Sequence, residues 1–522
     1  MKRTGLIAPS WLVALVAAVS FAFSGAAGAQ GKYVHANNSG YDNLDPHVVF
    51  DVGRAASRIN FYDGLLRWVD NPPKLIPWLT ESYTSSPDGK SWTFKLRQGV
   101  KFHDGSEMTA DDVVYSIERM LATKKGASSL FLPIIDPGST KAPDKYTIVF
   151  TLKAPSAIFL ATVPEILVVN SKLVKKNEKD GDWGQAWLAK NVASTGSYKL
   201  KRYDPAIGFV GERFKEHFAG WEKDKKVFDE IEFRTVLETN TRVQALIKGD
   251  IQGTDGYLPY DQILRLKQAP NVQILEQESM RVFYFNIHNG RAPLDDVHFR
   301  RALAYAFDYD GFIKDILKGA VVRNAGPNPN NLWGVPQDLK AYTYDLEKAK
   351  AELAQVKAPI RPITIGTLAG FSETEQAATL LQNGAAKIGI DIKIESAPWP
   401  VIQSRMQDRE KNYDMVPLWK STYYVDPNNW VGEMYGSRYI GTRNTSYIND
   451  PEMDQWIDEA LAISDQDKRR ALYEKADAKA VDQAMGIYVY NTRWYGPYAA
   501  NVGGIRFSPI GSGQDMRWAY YK

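Results

Sequence analysis

Six histidines, no cysteine and sixty-one carboxylates are the raw material from which this chain could build chemistry. His35, His47, His103, His217, His288 and His298 show no metal-ligand spacing, and neither HExxH nor GxSxG occurs. Gly89-Lys90-Ser91 has the ending of a phosphate-binding loop, but Thr84 stands where the first glycine belongs and a strand pattern follows. The adjacent Asp111 and Asp112 have a sufficient role at a helix start, where Thr109 caps and Asp112 occupies the capping-box position. Carboxylate pairs are too common to exclude a secreted hydrolase, which stays the competing class. The run from Trp419 to Val431 is different in kind. Its rings, hydroxyls and single carboxylate suit stacking on and hydrogen-bonding an amphipathic solute, with Trp419, Thr422, Tyr423, Tyr424 and Asp426 as candidates.

The elements around that run must position it. Ile363 to Leu368 reads as a strand, Thr374 to Ile388 as a helix, Ile390 to Glu395 as a strand, Val401 to Lys411 as a helix and Asp414 to Trp419 as a strand. This β-α-β-α-β order implies a parallel sheet with right-handed crossovers, and ligands of open α/β sheets sit beyond the strands' carboxyl ends. The segment Lys420 to Trp430 is therefore expected to face a cleft. Trp399, between the second strand and second helix, joins the candidates. Helices over Asp450 to Ile463 and Gln466 to Met485 follow, then a strand over Ile487 to Asn491 that carries the chain back. An earlier apolar strand, Val282 to Asn286, reads as the first crossing. A long helix over Asp295 to Leu317 comes after it, with Arg300-Arg301 expected on a solvated edge.

Lys2 and Arg3, the apolar run Trp11 to Phe23 and Ala27-Gly28-Ala29 make residues 1–29 read as a cleaved secretory signal. With no cysteine for a disulfide or a lipid anchor, the expected compartment is the periplasm of a Gram-negative cell. Removing the signal lowers the formal net charge from +3 to about +1, which suggests no nucleic-acid partner. Roughly 490 remaining residues exceed what one core sustains, so at least two lobes are expected. No cofactor is implied, and a monomer is expected.

The stretch Ser85 to Met120, SSPDGKSWTFKLRQGVKFHDGSEMTADDVVYSIERM, parses as a turn at Pro87-Asp88-Gly89, a strand through Trp92, Phe94 and Leu96, a short extended piece Val100 to Phe102, and a helix with Val113, Val114, Ile117, Met120 and Leu121 on one face. Its wording closely resembles the signature of the family 5 extracytoplasmic solute-binding proteins, the peptide- and nickel-type receptors of ABC importers. YDGLLRW at Tyr62 to Trp68, Ser194 to Leu200 (with Ser197 where proline is usual) and Phe228 to Gly253 keep the family's order. The resemblance implies an α/β, two-lobed periplasmic binding fold with two hinge crossings. The implied division is 30–66 in lobe I, 67–192 an inserted subdomain, 193–285 in lobe I again, 286–490 lobe II and 491–522 returning to lobe I. It also implies a membrane permease with separate ATPase subunits as partner, a peptide or small-molecule ligand, and cleft contacts from Ser39, Gly40 and Tyr41.

In peptide-binding members of such a family, an aspartate about three residues before the acidic-Pro pair holds the ligand's ammonium. Here the pair is Asp426-Pro427, and Tyr423 or, with a one-residue shift, Thr422 stands at that position. Neither is anionic. Peptide capture thus stays beside capture of an opine, an oligosaccharide or chelated nickel, with Asp426 either replacing the amine anchor or merely ordering its turn. Unless Asp426 substitutes, ordinary dipeptides are expected to bind poorly.

Overall fold

The computed structural model describes residues 31–38, 40–510 and 514–522. The secretory segment and Ser39 lie outside them. Two strands dominate, Val272–Ile287 and Gly486–Ala499, antiparallel neighbours at the centre of an eleven-stranded sheet. On one side the order continues through Met415–Lys420, Ile363–Leu368 and Ile392–Ala397. On the other it runs through Gly253–Thr254, Lys32–Asn37, Glu230–Thr235, Gly208–Arg213 and Tyr198–Asp204. The two long strands thus tie together two lobes, each with its own core: Tyr33, Phe209 and Phe233 in one, Phe285, Leu303 and Ile365 in the other.

Register between the crossing strands slips between Glu278 and Val282. Ser279, Met280 and Arg281 stand opposite Thr492, forming a bulge. The bulge is pinned, since Ser279 Oγ donates to the Thr492 carbonyl (2.7 Å) and Thr492 Oγ1 donates to the Arg281 carbonyl (3.2 Å). Both strands continue through the 285/286 and 490/491 positions at which the sequence was divided. They are longer than Val282–Asn286 and Ile487–Asn491 because the exposed Glu276, Gln277 and Glu278, which interrupt the apolar pattern, still pair in the ladder.

The second lobe holds the parallel unit in the order of Ile392–Ala397, Ile363–Leu368 and Met415–Lys420, with helices Ser372–Ala386 and Trp399–Gln407 as crossovers. A separate four-stranded sheet, with Ser91–Leu96 and Thr147–Thr151 inside, packs under helix Ala110–Thr123 around Phe94, Phe150 and Phe159. Thr109 and Asp112 cap that helix reciprocally, and the second oxygen of Asp112 accepts from Ser171 (2.6 Å). Helix Thr239–Lys248 stops at Gly249, whose φ of +84° suits the left-handed cap.

Two expectations are corrected. The long helix after the first crossing is Val297–Ala306 followed by a π-helical turn Gly311–Ile316, because the Asp308 carboxylate accepts from the Gly311 amide (2.9 Å) and starts a new turn. Arg300 is buried rather than solvated; its guanidinium donates to the carbonyls of Gln483 and Leu294. No helix among the described residues is long and apolar enough to cross a membrane.

Candidate functional site

Strand carboxyl ends from both lobes meet at one cavity of about 380 Å³. From the first lobe come Asn37 and Thr254, at the ends of parallel strands, followed by Asp255 and Tyr257. From the second come Trp419, near the end of its strand, and Gly370 to Glu373, which follow Ile363–Leu368. The hinge bulge forms a third wall with Ser279, Arg281 and Thr492. This is the placement that open α/β sheets give their ligands, here supplied twice over.

Aromatic surface bridges the lobes. Tyr257 meets Phe371 edge-on at 6.2 Å, and Phe371 lies 5.8 Å from Trp419. The Arg281 guanidinium stands 4.6 Å from the Tyr257 ring and 5.8 Å from Trp419. Trp419 Nε1 donates to the Tyr490 hydroxyl (3.2 Å), which donates to Glu373 (2.9 Å). Burial raises the Glu373 carboxyl above its ordinary value, against the Tyr490 hydrogen bond and the Arg281 charge. At the floor, burial and then the Arg242 charge lower His35 to about 3, so its imidazole is neutral. His35 Nε2, Asn37 Oδ1 and Thr254 Oγ1 are buried without a partner among the described residues, which leaves polar atoms free for a ligand.

A smaller compartment of about 120 Å³ shares Val52, Phe507 and Gln514 with the large one. Thr422 and Tyr423 line it, beside Arg58, Glu165, Arg67 and Asp515. Those four charges are already matched, Arg58 with Glu165 and Arg67 with Asp515. Tyr423 lies against Phe50 at 4.4 Å, with the Arg443 guanidinium 4.4 Å from its ring.

Of the candidates read from the sequence, Trp419 lines the large cavity and Thr422 and Tyr423 the small one. The others are placed elsewhere. Tyr424 is fully buried in the core of the four-stranded subdomain, its hydroxyl donating to Glu433 (2.8 Å). Asp426 is buried and gripped by Arg469, with two contacts of 2.8 Å, so it is not free to hold an amine. Tyr41 is buried with its hydroxyl accepting from Asn37 Nδ2 (2.6 Å), Gly40 is exposed, and Trp399 is exposed on the outside of its helix start; none lines either cavity. Lys420 holds the segment from behind, 3.5 Å from Glu433, which also accepts from Arg443 (2.8 Å). Burial, with the Arg443 charge adding and Glu433 opposing, lowers Lys420 to about 7.

Sequence reading missed Arg281, Glu373, Tyr257 and Phe371. The signal for Phe371 and Glu373 was present: the carboxyl-end rule applied to Met415–Lys420 holds equally for the parallel strand Ile363–Leu368. Arg281 was hidden in the bulge, a feature without a sequence mark here. Among the described residues no group of three His, Asp or Glu side chains is placed to hold a metal.

Two lobes, tied by two crossing strands over a polar and aromatic cleft, define the class of two-lobed solute-binding proteins. Comparison with known proteins narrows the class. The chain belongs to the bacterial extracellular solute-binding proteins, family 5, whose "family 5 Middle" description matches residues 74–442. It is 30% identical over 521 residues to the probable D,D-dipeptide-binding periplasmic protein DdpA of Escherichia coli K12, covering 98% of both chains. It is 29% identical to heme-binding protein A of Haemophilus influenzae, covering 87% of this chain and 86% of that one. Among solved structures, the periplasmic binding protein DppA from Helicobacter pylori in complex with the peptide STSA matches with a TM-score of 0.85 at 26% identity, over 94% of this chain and 98% of the other.

Proposed function

We propose that this protein is the periplasmic receptor of an ABC importer, capturing a peptide or peptide-like small solute between its lobes and handing it to a membrane permease driven by separate ATPase subunits. The observation that carries this reading is the 380 Å³ cavity walled by both lobes and by the hinge bulge between them. A ligand there touches both lobes at once, so its binding free energy favours the closed arrangement. Relatives named as dipeptide-binding and a neighbour solved with a peptide support the solute class.

The protein binds without turnover in this reading. Small-angle scattering should report compaction and tryptophan fluorescence should change on adding solute from a periplasmic extract, with the solute recovered chemically unchanged. Multiple turnovers by the purified protein would refute it.

A further inference from the structure

We propose that Arg281 and Glu373 read opposite charges on the solute, so that the cleft takes zwitterions and discriminates against neutral or singly charged analogues. This rests on the capture reading above and adds the charge pattern of what is captured. Five charged side chains line the large cavity. Asp255 faces Arg242 at 3.7 Å, Arg493 pairs with Glu276 at 3.1 Å, and Glu375 is exposed to solvent. Arg281 and Glu373 are left, both half-buried and in no ion pair among the described residues, with the Arg281 charge acting on Glu373 across the cavity without contact.

Arg281 is mounted on the hinge itself. Its backbone is fixed by Ser279 and Thr492, and its guanidinium lies near Tyr257 and Trp419. Its Nε is buried with no hydrogen-bond partner among the described residues. A guanidinium stays charged at any physiological pH, and aromatic faces attract it without accepting its fork of N–H donors. An acidic ligand group supplies what is missing, by charge-assisted hydrogen bonds. Glu373 is the mirror case. One oxygen accepts from Tyr490, whose hydroxyl is itself oriented by Trp419, while no other donor among the described residues reaches the carboxylate. An ammonium or guanidinium would complete it.

Separate anchors hold the two side chains, Arg281 by the bulge and the Tyr257 ring of the first lobe, Glu373 by Tyr490 and the second-lobe helix. A solute carrying both charges satisfies both. One carrying a single charge makes only one of the two charge-assisted contacts and leaves the other protein group without a hydrogen-bonding counter-ion, which is expected to weaken binding about tenfold or more.

The test uses the mature chain with an equimolar library of unmodified dipeptides, the same library N-acetylated, and the same library C-amidated, each also offered to R281Q and E373Q. The expected result is that wild type prefers unmodified peptides about tenfold or more over either blocked form. R281Q should lose discrimination against C-amidation and E373Q against N-acetylation. E373Q keeps an oxygen for Tyr490 and thus reports on charge even if R281Q lowers stability. Equal capture of blocked and unblocked peptides, or unchanged preference in both variants, overturns the proposal. If no dipeptide binds, the solute retained from a periplasmic extract decides: a zwitterion released by both variants supports the assignment, and a neutral or singly charged one overturns it. Absence of compaction with every solute would instead bring down the capture reading itself.

Discussion

Replacing Asp426 by asparagine separates a structural carboxylate from a ligand-binding one. The Asp426 side chain is 5% exposed and that of Arg469 is 7% exposed, and the two meet through two contacts of 2.8 Å. Asp426 also accepts from the Asn428 amide (3.0 Å), while Arg469 donates to the Ala460 carbonyl (2.9 Å) and lies 5.1 Å from the Trp333 ring. The D426N side chain would retain the contact with the Asn428 amide but leave the guanidinium without its counter-charge. Breaking one side of a buried pair costs about 3–5 kcal/mol, and the retained contacts place this case near the lower end. For roughly 490 residues unfolding as one unit, with about 2 cal/mol/K per residue, this lowers Tm by about 3 °C. Thermal melts of wild type and D426N read the shift, and calorimetry on each reads solute affinity. The expected outcome is a lower Tm with affinity within about twofold of wild type. Loss of solute binding at unchanged Tm would refute the argument and return Asp426 to the role of amine anchor.

Trp419→Ala removes the ring that orients Tyr490 and faces Arg281, and solute affinity should fall about tenfold; Trp399→Ala, outside both cavities, should leave it unchanged in the same titration. Burial raises Glu373, so in the ligand-free cleft it takes up a proton above the ordinary carboxylate range; affinity for a cationic group is full above that pKa and declines as pH falls through it. Titrations at descending pH should show this decline in wild type and not in E373Q. Asp112→Ala removes both the capping-box acceptor and the Ser171 contacts, and denaturant unfolding should report a loss of about 2 kcal/mol with solute affinity unchanged.

Much of the second lobe was legible because its strands are short apolar runs separated by helical periodicity, which leaves little choice of topology. The Thr109 cap was legible for a similar reason: it depends on residues three apart. Contacts made over long separations were not. Nothing around Asp426 announces that Arg469, in a later helix, will neutralise it, and nothing around Arg300 announces the Gln483 carbonyl. Likewise, an acid in the first turn of helix Ser372–Ala386 has an ordinary explanation in the helix dipole, so Glu373 did not stand out until the fold placed it beside Tyr490. The expectation that ordinary dipeptides bind poorly rested on the segment around Asp426; Glu373, from another segment, lines the cleft and is the amine partner proposed above.

The position of Arg281 joins recognition to motion. A side chain on either lobe can hold a ligand whether the cleft is open or shut, and such a contact contributes equally to both states and drives nothing. Arg281 projects from the bulge at which the crossing strands change register, between a first-lobe ring at 4.6 Å and a second-lobe ring at 5.8 Å. The ladder holds Trp419 beside the crossing strand, opposite Phe283, so Tyr257 is the ring that lobe closure would bring to the guanidinium. An acidic group docked on Arg281 would lie beside both rings. A contact that tightens as Tyr257 closes on it would supply the differential affinity that closure requires.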